Sequence, residues 1–519
     1  MANKIEDLKA AKDGLALKAE IDRFAAIGWE AIDDDDLQHR LKWLGIFFRK
    51  STPGRFMVRM RIPNGLLNSA QMRVLASVVE KCGEHGVADI TTRQNIQMRG
   101  ILIEDVPEMF AKFRSVGLTS VQSAIDNVRN ITGSPVAGID ADELYDTREL
   151  AMQVQNLLTN NGEGNPAFTN LPRKFNIAIA GCRDNSTHAE INDLAFIPAF
   201  KEESKETLGF NILVGGFFSA KRVEAAIPLN AWVPPEDVVD LCEALLIVYR
   251  DHGLRENRAK SRLMFLIDEW GIEKFRAEVE KQLGKPLATA AAKDEIVWEK
   301  RDHIGVHPQK QAELNYVGLQ IPVGRMYAPD MYEFARLADT YGNGDIRLTV
   351  EQNLLITNVS DEQVPALLQE PLLQKFPANP DNLMRGLVSC TGNQFCPVAI
   401  VETKNRSLAL TKQLSEDYHL PQVVRIHWSG CPNSCAQPQV ADIGFTGCKT
   451  RKNGKVVDGV DIYMGGTVGK DAHLGKCVME KIPCEDLREV VGKLLVEHFG
   501  AVPKQQAIAE PSAELVAVG

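Results

Sequence analysis

No stretch of about 18 consecutive apolar residues occurs in this chain, which excludes a membrane-spanning helix. The N-terminus, MANKIEDLKAAKDGLALKAE, lacks both an apolar core behind a basic start and an Arg/Ser-rich, acid-poor character. It reads as neither secretory signal nor transit peptide, so a cytoplasmic protein is expected. Positive charge is not in excess: 59 Lys and Arg stand against 69 Asp and Glu, a net −10. A phosphate-binding face needs the opposite balance, so nucleic acid is not expected as the main partner. No G-x-G-x-x-G follows a strand, and a built-in nucleotide or flavin module is not expected. Ten cysteines in 519 residues are too few for a disulfide scaffold. In a reducing compartment, clustered cysteines bind metal more readily than each other.

What is present is an ordinary globular mix, 44% hydrophobic and 25% charged. The length suggests roughly three domains of about 150 residues. It also contains a repeat. RIPNGLLNSAQMRVLA (61–76) matches QIPVGRMYAPDMYEFA (320–335) at an offset of 259, sharing Ile62/Ile321, Pro63/Pro322, Gly65/Gly324, Met72/Met331 and Ala76/Ala335. ITTRQN (90–95) pairs with LTVEQN (348–353), LPRKFNIAIAGC (171–182) with LPQVVRIHWSGC (420–431), and GFNILVGG (209–216) with GVDIYMGG (459–466). Four weak matches in one order, with a slowly drifting offset, make the chain two copies of one unit. Each copy has a front and a back subdomain.

The front subdomain reads strand, helix, strand. Residues 55–63 alternate apolar and polar, 69–86 have helical periodicity behind an N-cap serine, and 88–101 are extended again. The pattern predicts an α+β unit, and two copies could pair into one continuous sheet. The back subdomains offer strands at 175–181 and 423–430 and a helix within 236–253.

Four thiols stand out. SCTGNQFCP carries Cys390 and Cys396, and SGCPNSCAQPQVADIGF carries Cys431 and Cys435. The spacing is C-x5-C, 34 residues, then C-x3-C. Paired zinc ligands usually lie two to four residues apart. The wider gap suits a cubane cluster better, with zinc and coincidence as the alternatives.

The second motif resembles the signature of the sirohaem-containing nitrite and sulfite reductases, in Ser429, Gly430, Cys431, Cys435, Asp442, Ile443, Gly444 and Phe445. CTGNQFC resembles the same family's first cysteine pair. The similarity spans about residues 40–500 and is strongest to the assimilatory ferredoxin-dependent branch, cyanobacterial type. It implies an α+β, internally duplicated, pseudo-twofold fold: paired ferredoxin-like front subdomains plus two α/β sirohaem/iron–sulfur catalytic subdomains. The boundaries that follow are an N-terminal extension 1–45, a ferredoxin-like half 46–115, a basic catalytic subdomain 116–290, a linker 291–311, a second half 312–375, a ligand-bearing catalytic subdomain 376–500 and a mobile tail 501–519. The resemblance further implies one [4Fe–4S] cluster on Cys390, Cys396, Cys431 and Cys435, with Cys435 also the axial ligand of a sirohaem. Ser186 stands where Cys435 would be in the first copy, so no second cluster is expected. Cys182 is expected as a buried structural thiol, as are Cys82, Cys242, Cys448, Cys477 and Cys484.

The first copy carries cations where the second does not: Arg93 aligns with Glu351, Arg99 with Thr357 and Lys174 with Val423. Sirohaem is rimmed by carboxylates and nitrite is an anion, and both call for guanidinium and ammonium donors. By resemblance, Arg59, Arg129, Lys174 and Asn176 face the substrate, while Arg61, Arg93, Arg99 and Arg173 grip sirohaem carboxylates. Sulfite-reducing relatives have Lys-x-Lys where this chain has Lys174-Phe175-Asn176, so nitrite is the expected substrate and sulfite the alternative. The expected reaction is six-electron reduction to ammonium in nitrate assimilation. Electrons would come from reduced ferredoxin, or flavodoxin in its place, to a monomer. A structural cluster in a nucleic-acid-binding protein is the rival class; it leaves the repeat and the arginine asymmetry unexplained.

Overall fold

The computed structural model describes residues 3–504; the expected tail beyond residue 504 lies outside them. Within them the chain forms two compact units, residues 3–378 with 468–473 and residues 379–467 with 474–504.

In the first unit, the helix Ser69–Lys81 buries Met72, Leu75, Ala76, Val78 and Val79 along one face. Its cap is Asn68, one residue before the expected serine. Gln71 N–H donates to the Asn68 side chain at 2.9 Å, and Asn68 N–H donates to the Gln71 side chain at 3.0 Å. This reciprocal pair satisfies two otherwise orphaned groups. The run 88–101 is not one strand but a hairpin, Val87–Ile90 against Ile96–Ile101. The chain reverses at 91–95 because Gln94 adopts φ 51° and its amide donates to the Gly133 and Leu348 carbonyls at 2.8 and 3.1 Å.

The second copy repeats this with the helix Ala328–Tyr341 and the hairpin Asp345–Leu348/Leu354–Ser360. Gln352 takes φ 68° and donates to the Ile90 carbonyl at 2.9 Å. The two copies do not share one continuous sheet. Two five-stranded sheets form, and each takes its last strand from the other half. Leu66–Asn68 pairs with Asp345–Leu348, and Arg325–Met326 pairs with Val87–Ile90. Gly65 and Gly324 make the crossings possible. Both have positive φ, and a Cβ there would lie 2.4 Å from the Leu348 oxygen or 2.5 Å from the Ile90 oxygen. The exchange covers hydrogen-bonding edges that would otherwise face solvent. The two helices pack together in a common core.

The N-terminal residues are part of that core. Leu17, Ile21, Phe24, Leu37, Leu41 and Leu44 are buried in it. The segment read as a linker is ordered as well: Gly305–Pro308 is the edge strand beside Leu314–Leu319.

Behind the front halves, the first unit holds a six-stranded sheet. Thr132–Gly133, Ile177–Ile179 and Leu194–Phe200 run parallel. Leu208–Val214 and Ile227–Val233 follow antiparallel. Helix Val238–His252 joins the core of this subdomain. The second unit repeats the order: Leu387–Ser389, Ile426–Ser429 and Ile443–Lys452 parallel, then Lys455–Met464 and Lys476–Pro483 antiparallel. The duplication thus extends to strand direction.

Candidate functional site

In the second unit, Leu387–Ser389 and Ile426–Ser429 are in parallel register, Ser389 opposite Trp428. Cys390 follows the first strand directly, and Gly430–Cys431 follows the second. Both cysteine pairs therefore leave the carboxyl end of one sheet, where open α/β sheets bind ligands. Cys390 N–H extends the pairing to the Trp428 carbonyl at 2.9 Å, and Ile400 N–H ties the first loop to the Gly430 carbonyl at 2.7 Å. The Cys390 sulfur accepts N–H groups from Gly430 at 3.2 Å and Gly392 at 3.4 Å. Asn433 Nδ2 donates to the Cys431 sulfur at 3.6 Å. Donors aimed at sulfur stabilise a thiolate ligand and tune a cluster. Burial pushes the Cys390 thiol up to about 12, with a further push from Cys435. Burial raises Cys431 too, and Cys435 and Cys396 add to it. The four thiols thus share one neighbourhood. Among the described residues, no three Cys, His, Asp or Glu side chains are grouped to take a single ion. A four-iron cluster instead needs thiolates set apart around its body, and this donor set fits one.

The remaining cysteines divide. Cys82, Cys182 and Cys242 are buried as expected, but Cys448 and Cys484 are half-buried and Cys477 is exposed. Cys477 lies on the edge strand Lys476–Pro483 and Cys484 just follows it, while Cys448 lies in the strand Ile443–Lys452 opposite Gly459; the local sequence did not reveal this exposure. Cys182 donates to Ser134 Oγ at 3.0 Å. Ser134 follows Thr132–Gly133 as Cys390 follows Leu387–Ser389. Serines therefore replace two thiols of the first copy, at 134 and 186.

In the first unit the cations gather on loops behind the front sheets. Arg59 ends the strand Phe56–Arg59, its guanidinium 4.8 Å from the Phe47 ring centre. Arg129 donates to the Ser123 and Ile125 carbonyls at 3.0 and 3.1 Å. Burial, then the charges of Arg59, Arg173 and Arg93, push its guanidinium well below the usual range. Four guanidiniums therefore converge. Arg93 lies in the 91–95 turn, 3.4 Å from Asn192 Oδ1. Asn130 pins that turn, donating to the Arg93 and Ile62 carbonyls at 2.8 and 2.7 Å. Arg173 is half-buried and pushed down to about 10, by burial first and then by Arg258.

Lys174 and Asn176 flank buried Phe175, whose N–H bonds to the Asn127 carbonyl and whose carbonyl accepts Arg129 N–H. One strand-like contact thus sets both cationic segments. Asn176 N–H donates to Asp193 Oδ2 at 2.8 Å, while its side-chain Oδ1 is buried without a partner. Arg129 Nε is likewise buried and unpartnered. Orphaned polar atoms beside converging cations suit a bound group bearing both acceptors and donors.

Two predicted arginines lie deeper. Arg61 is 2% exposed. It donates to Gln155 Oε1 and to the Gln122, Val128 and Arg129 carbonyls at 2.7–3.2 Å. Arg99 is buried against Asp89 at 3.2 Å, a carboxylate shared with Arg325. Arg61 thus braces backbone, and Arg99 braces the Asp89 carboxylate. Sequence reading missed Asp126, fully buried among Lys9, Arg173 and Arg258. Its partners lie 117, 47 and 132 residues away, and no local pattern marks them.

Family comparisons agree with this geometry. The model for the nitrite and sulphite reductase 4Fe-4S domain matches residues 124–287 and 381–499. The model for the nitrite/sulfite reductase ferredoxin-like half domain matches 48–116 and 307–373. The chain is 64% identical to a ferredoxin–nitrite reductase of Leptolyngbya laminosa, covering 97% of this chain and 98% of that one. It is 60% identical to one of Synechococcus elongatus, covering 96% and 97%. Among solved structures, the NirA protein of Mycobacterium tuberculosis superposes with a TM-score of 0.88 at 32% identity, covering 98% and 96%.

Proposed function

The chain belongs to the nitrite and sulphite reductase family, and on that premise we propose that it reduces nitrite to ammonium with six electrons from reduced ferredoxin. The observation that carries this reading is the thiol quartet at one sheet end, with backbone N–H groups aimed at sulfur. The near-full-length likeness to ferredoxin–nitrite reductases selects nitrite within the family. A [4Fe–4S] cluster and a sirohaem, when bound, supply electrons one at a time to the nitrogen of nitrite.

Cys390, Cys396, Cys431 and Cys435 would hold the cluster, and Cys435 would also serve the sirohaem. Arg93 and Arg173 would meet the carboxylates of sirohaem. Arg61 and Arg99, drawn inward, brace the segments that carry the other cations. Arg59, Arg129 and Lys174 neutralise the substrate's oxygens as negative charge builds on them. Lys174 also donates a proton as water leaves. Asn176 offers a hydrogen bond without a second ammonium, which suits a small monoanion. The enzyme works as a cytoplasmic monomer, and flavodoxin can replace ferredoxin as the donor. Among the described residues no helix is long and apolar enough to cross a membrane.

The test is a steady-state assay with nitrite and sulfite side by side, driven by reduced ferredoxin. Ammonium formation with a strong nitrite preference is expected. Sulfide as the faster product would transfer the chain to sulfite reduction, and a visible spectrum without haem-like bands would end the reading.

A further inference from the structure

The N-terminal helix Lys4–Ala11 reaches the cationic cluster. Asn3 caps it, and Asn3 Nδ2 fastens it to the Arg255 carbonyl at 2.7 Å. Lys9 turns inward with its side chain 5% exposed. Its ammonium donates to Asp126 Oδ2 at 3.3 Å and to the Leu171 carbonyl at 2.9 Å, with Glu6 at 2.5 Å. Asp126 is the buried anion among the cations. Arg258 grips it at both oxygens, at 2.8 and 2.7 Å, while Arg173 stands off at 3.8 Å. Burial disfavours the Asp126 carboxylate, but the Arg258 hydrogen bonds, with Lys9 and Arg173 beyond them, hold its carboxyl below the usual range. The same carboxylate acts on Arg129 against the charges of Arg59, Arg173 and Arg93.

We propose that Lys9 is a positioning residue for the substrate anion site: by neutralising Asp126 from the N-terminal helix, it holds in place the segment that carries Arg173, Lys174 and Asn176, and so keeps Lys174 and Arg129 available to the substrate anion. The charge arithmetic sets the direction. A carboxylate accepts about four hydrogen bonds. With Lys9 gone, Asp126 loses one of its cations and the buried carboxylate pulls harder on those that remain. Arg173, 3.8 Å from Asp126 Oδ1, is the cation in reach, and drawing it in shifts its neighbours Lys174 and Asn176 with it. The segment that closes the gap is the one that carries Lys174 and Asn176, because Leu171 N–H is bonded to the Asp126 carbonyl. The inference rests on the nitrite reading, and wild-type turnover tests that reading separately.

The test uses Lys9→Met in the full-length holoenzyme, keeping the aliphatic stem and removing the charge. The nitrite dissociation constant, from the visible spectrum of the oxidised enzyme, and KM are expected to rise roughly fivefold, about 1 kcal/mol. The turnover number should change far less. In Lys9→Met/Asp126→Asn the charge removed is matched by a charge removed, and the dissociation constant should return towards wild type. A lysine that merely anchored the helix would lower Tm and leave both constants unchanged, which overturns the proposal. A double variant no better than the single one also overturns it. Should Lys9→Met not fold, Lys9→Gln, which keeps a donor for the Leu171 carbonyl, is read by the same criteria.

Discussion

Asn176 lies two residues from Lys174 on an extended segment, so both side chains leave on one side of the chain. The Asn176 oxygen is buried without a partner. Asn176→Lys places a second ammonium there and raises the potential where an anion binds. A charge-assisted hydrogen bond is worth roughly 1.5–3 kcal/mol. The sulfite-to-nitrite ratio of kcat/KM should therefore rise at least roughly tenfold. Competition assays on variant and wild type check it; an unchanged ratio with both cofactors retained would remove residue 176 from substrate choice. Arg93→Ala should lower sirohaem per chain while leaving cluster iron and sulfide intact, since Arg93 sits in the first unit and the thiols in the second. At this scale the sequence shows which residue types matter and hides their partners. Arg61 and Arg93 look alike in a basic motif, yet Arg61 spends its donors on Gln155 and three carbonyls. Only the fold shows that Arg61 holds backbone in place.

Among elements, the loops that bear the thiols depend on a glycine. A Cβ at Gly430 would lie 3.0 Å from the Val401 oxygen and 3.1 Å from the Ala399 Cβ. From that close packing its N–H donates to the Cys390 sulfur at 3.2 Å. Gly430→Ala should wedge the two loops apart and lower iron and acid-labile sulfide per chain. Elemental analysis beside a Tm measurement checks it, and full cluster occupancy would mean that the loops yield without cost. The cysteine pairs were legible because thiols are rare and their spacing is informative. The hairpin at 88–101 was not. Its turn holds neither glycine nor proline, and the reversal is made by the Gln94 amide bonding carbonyls 39 and 254 residues away. The N-cap slipped by one residue for a related reason: Asn68 and Ser69 are both good caps, and the Gln71 side chain decides between them.

For the whole molecule, buried ion pairs connect distant segments of the first unit. Burial works against the Asp184 carboxylate, but His303 at 3.6 Å and Arg301 hold its carboxyl well below the usual range. A depressed carboxyl adds stability above its unfolded pKa, near 3.9, and loses it as pH falls further. Asp184→Asn should therefore lower Tm above about pH 4, and the margin should close as pH falls below that. A margin that stays open in acid would mean that the loss is one of packing. The repeat, legible in four short matches, extends to strand order and direction in both back sheets. What it could not show is the exchange of Leu66–Asn68 and Arg325–Met326 between the front halves. That exchange has a consequence for ancestry and assembly. A half-length chain would carry one sheet lacking its last strand and one strand lacking its sheet, the complement of a second copy of itself. Such chains would close as a symmetric dimer, each lending the other a strand. Joining two in tandem replaces a concentration-dependent encounter with an intramolecular one. It also frees each copy to change alone: serines at 134 and 186 in one, thiols at 390 and 435 in the other, an asymmetry that a dimer of identical chains could never acquire.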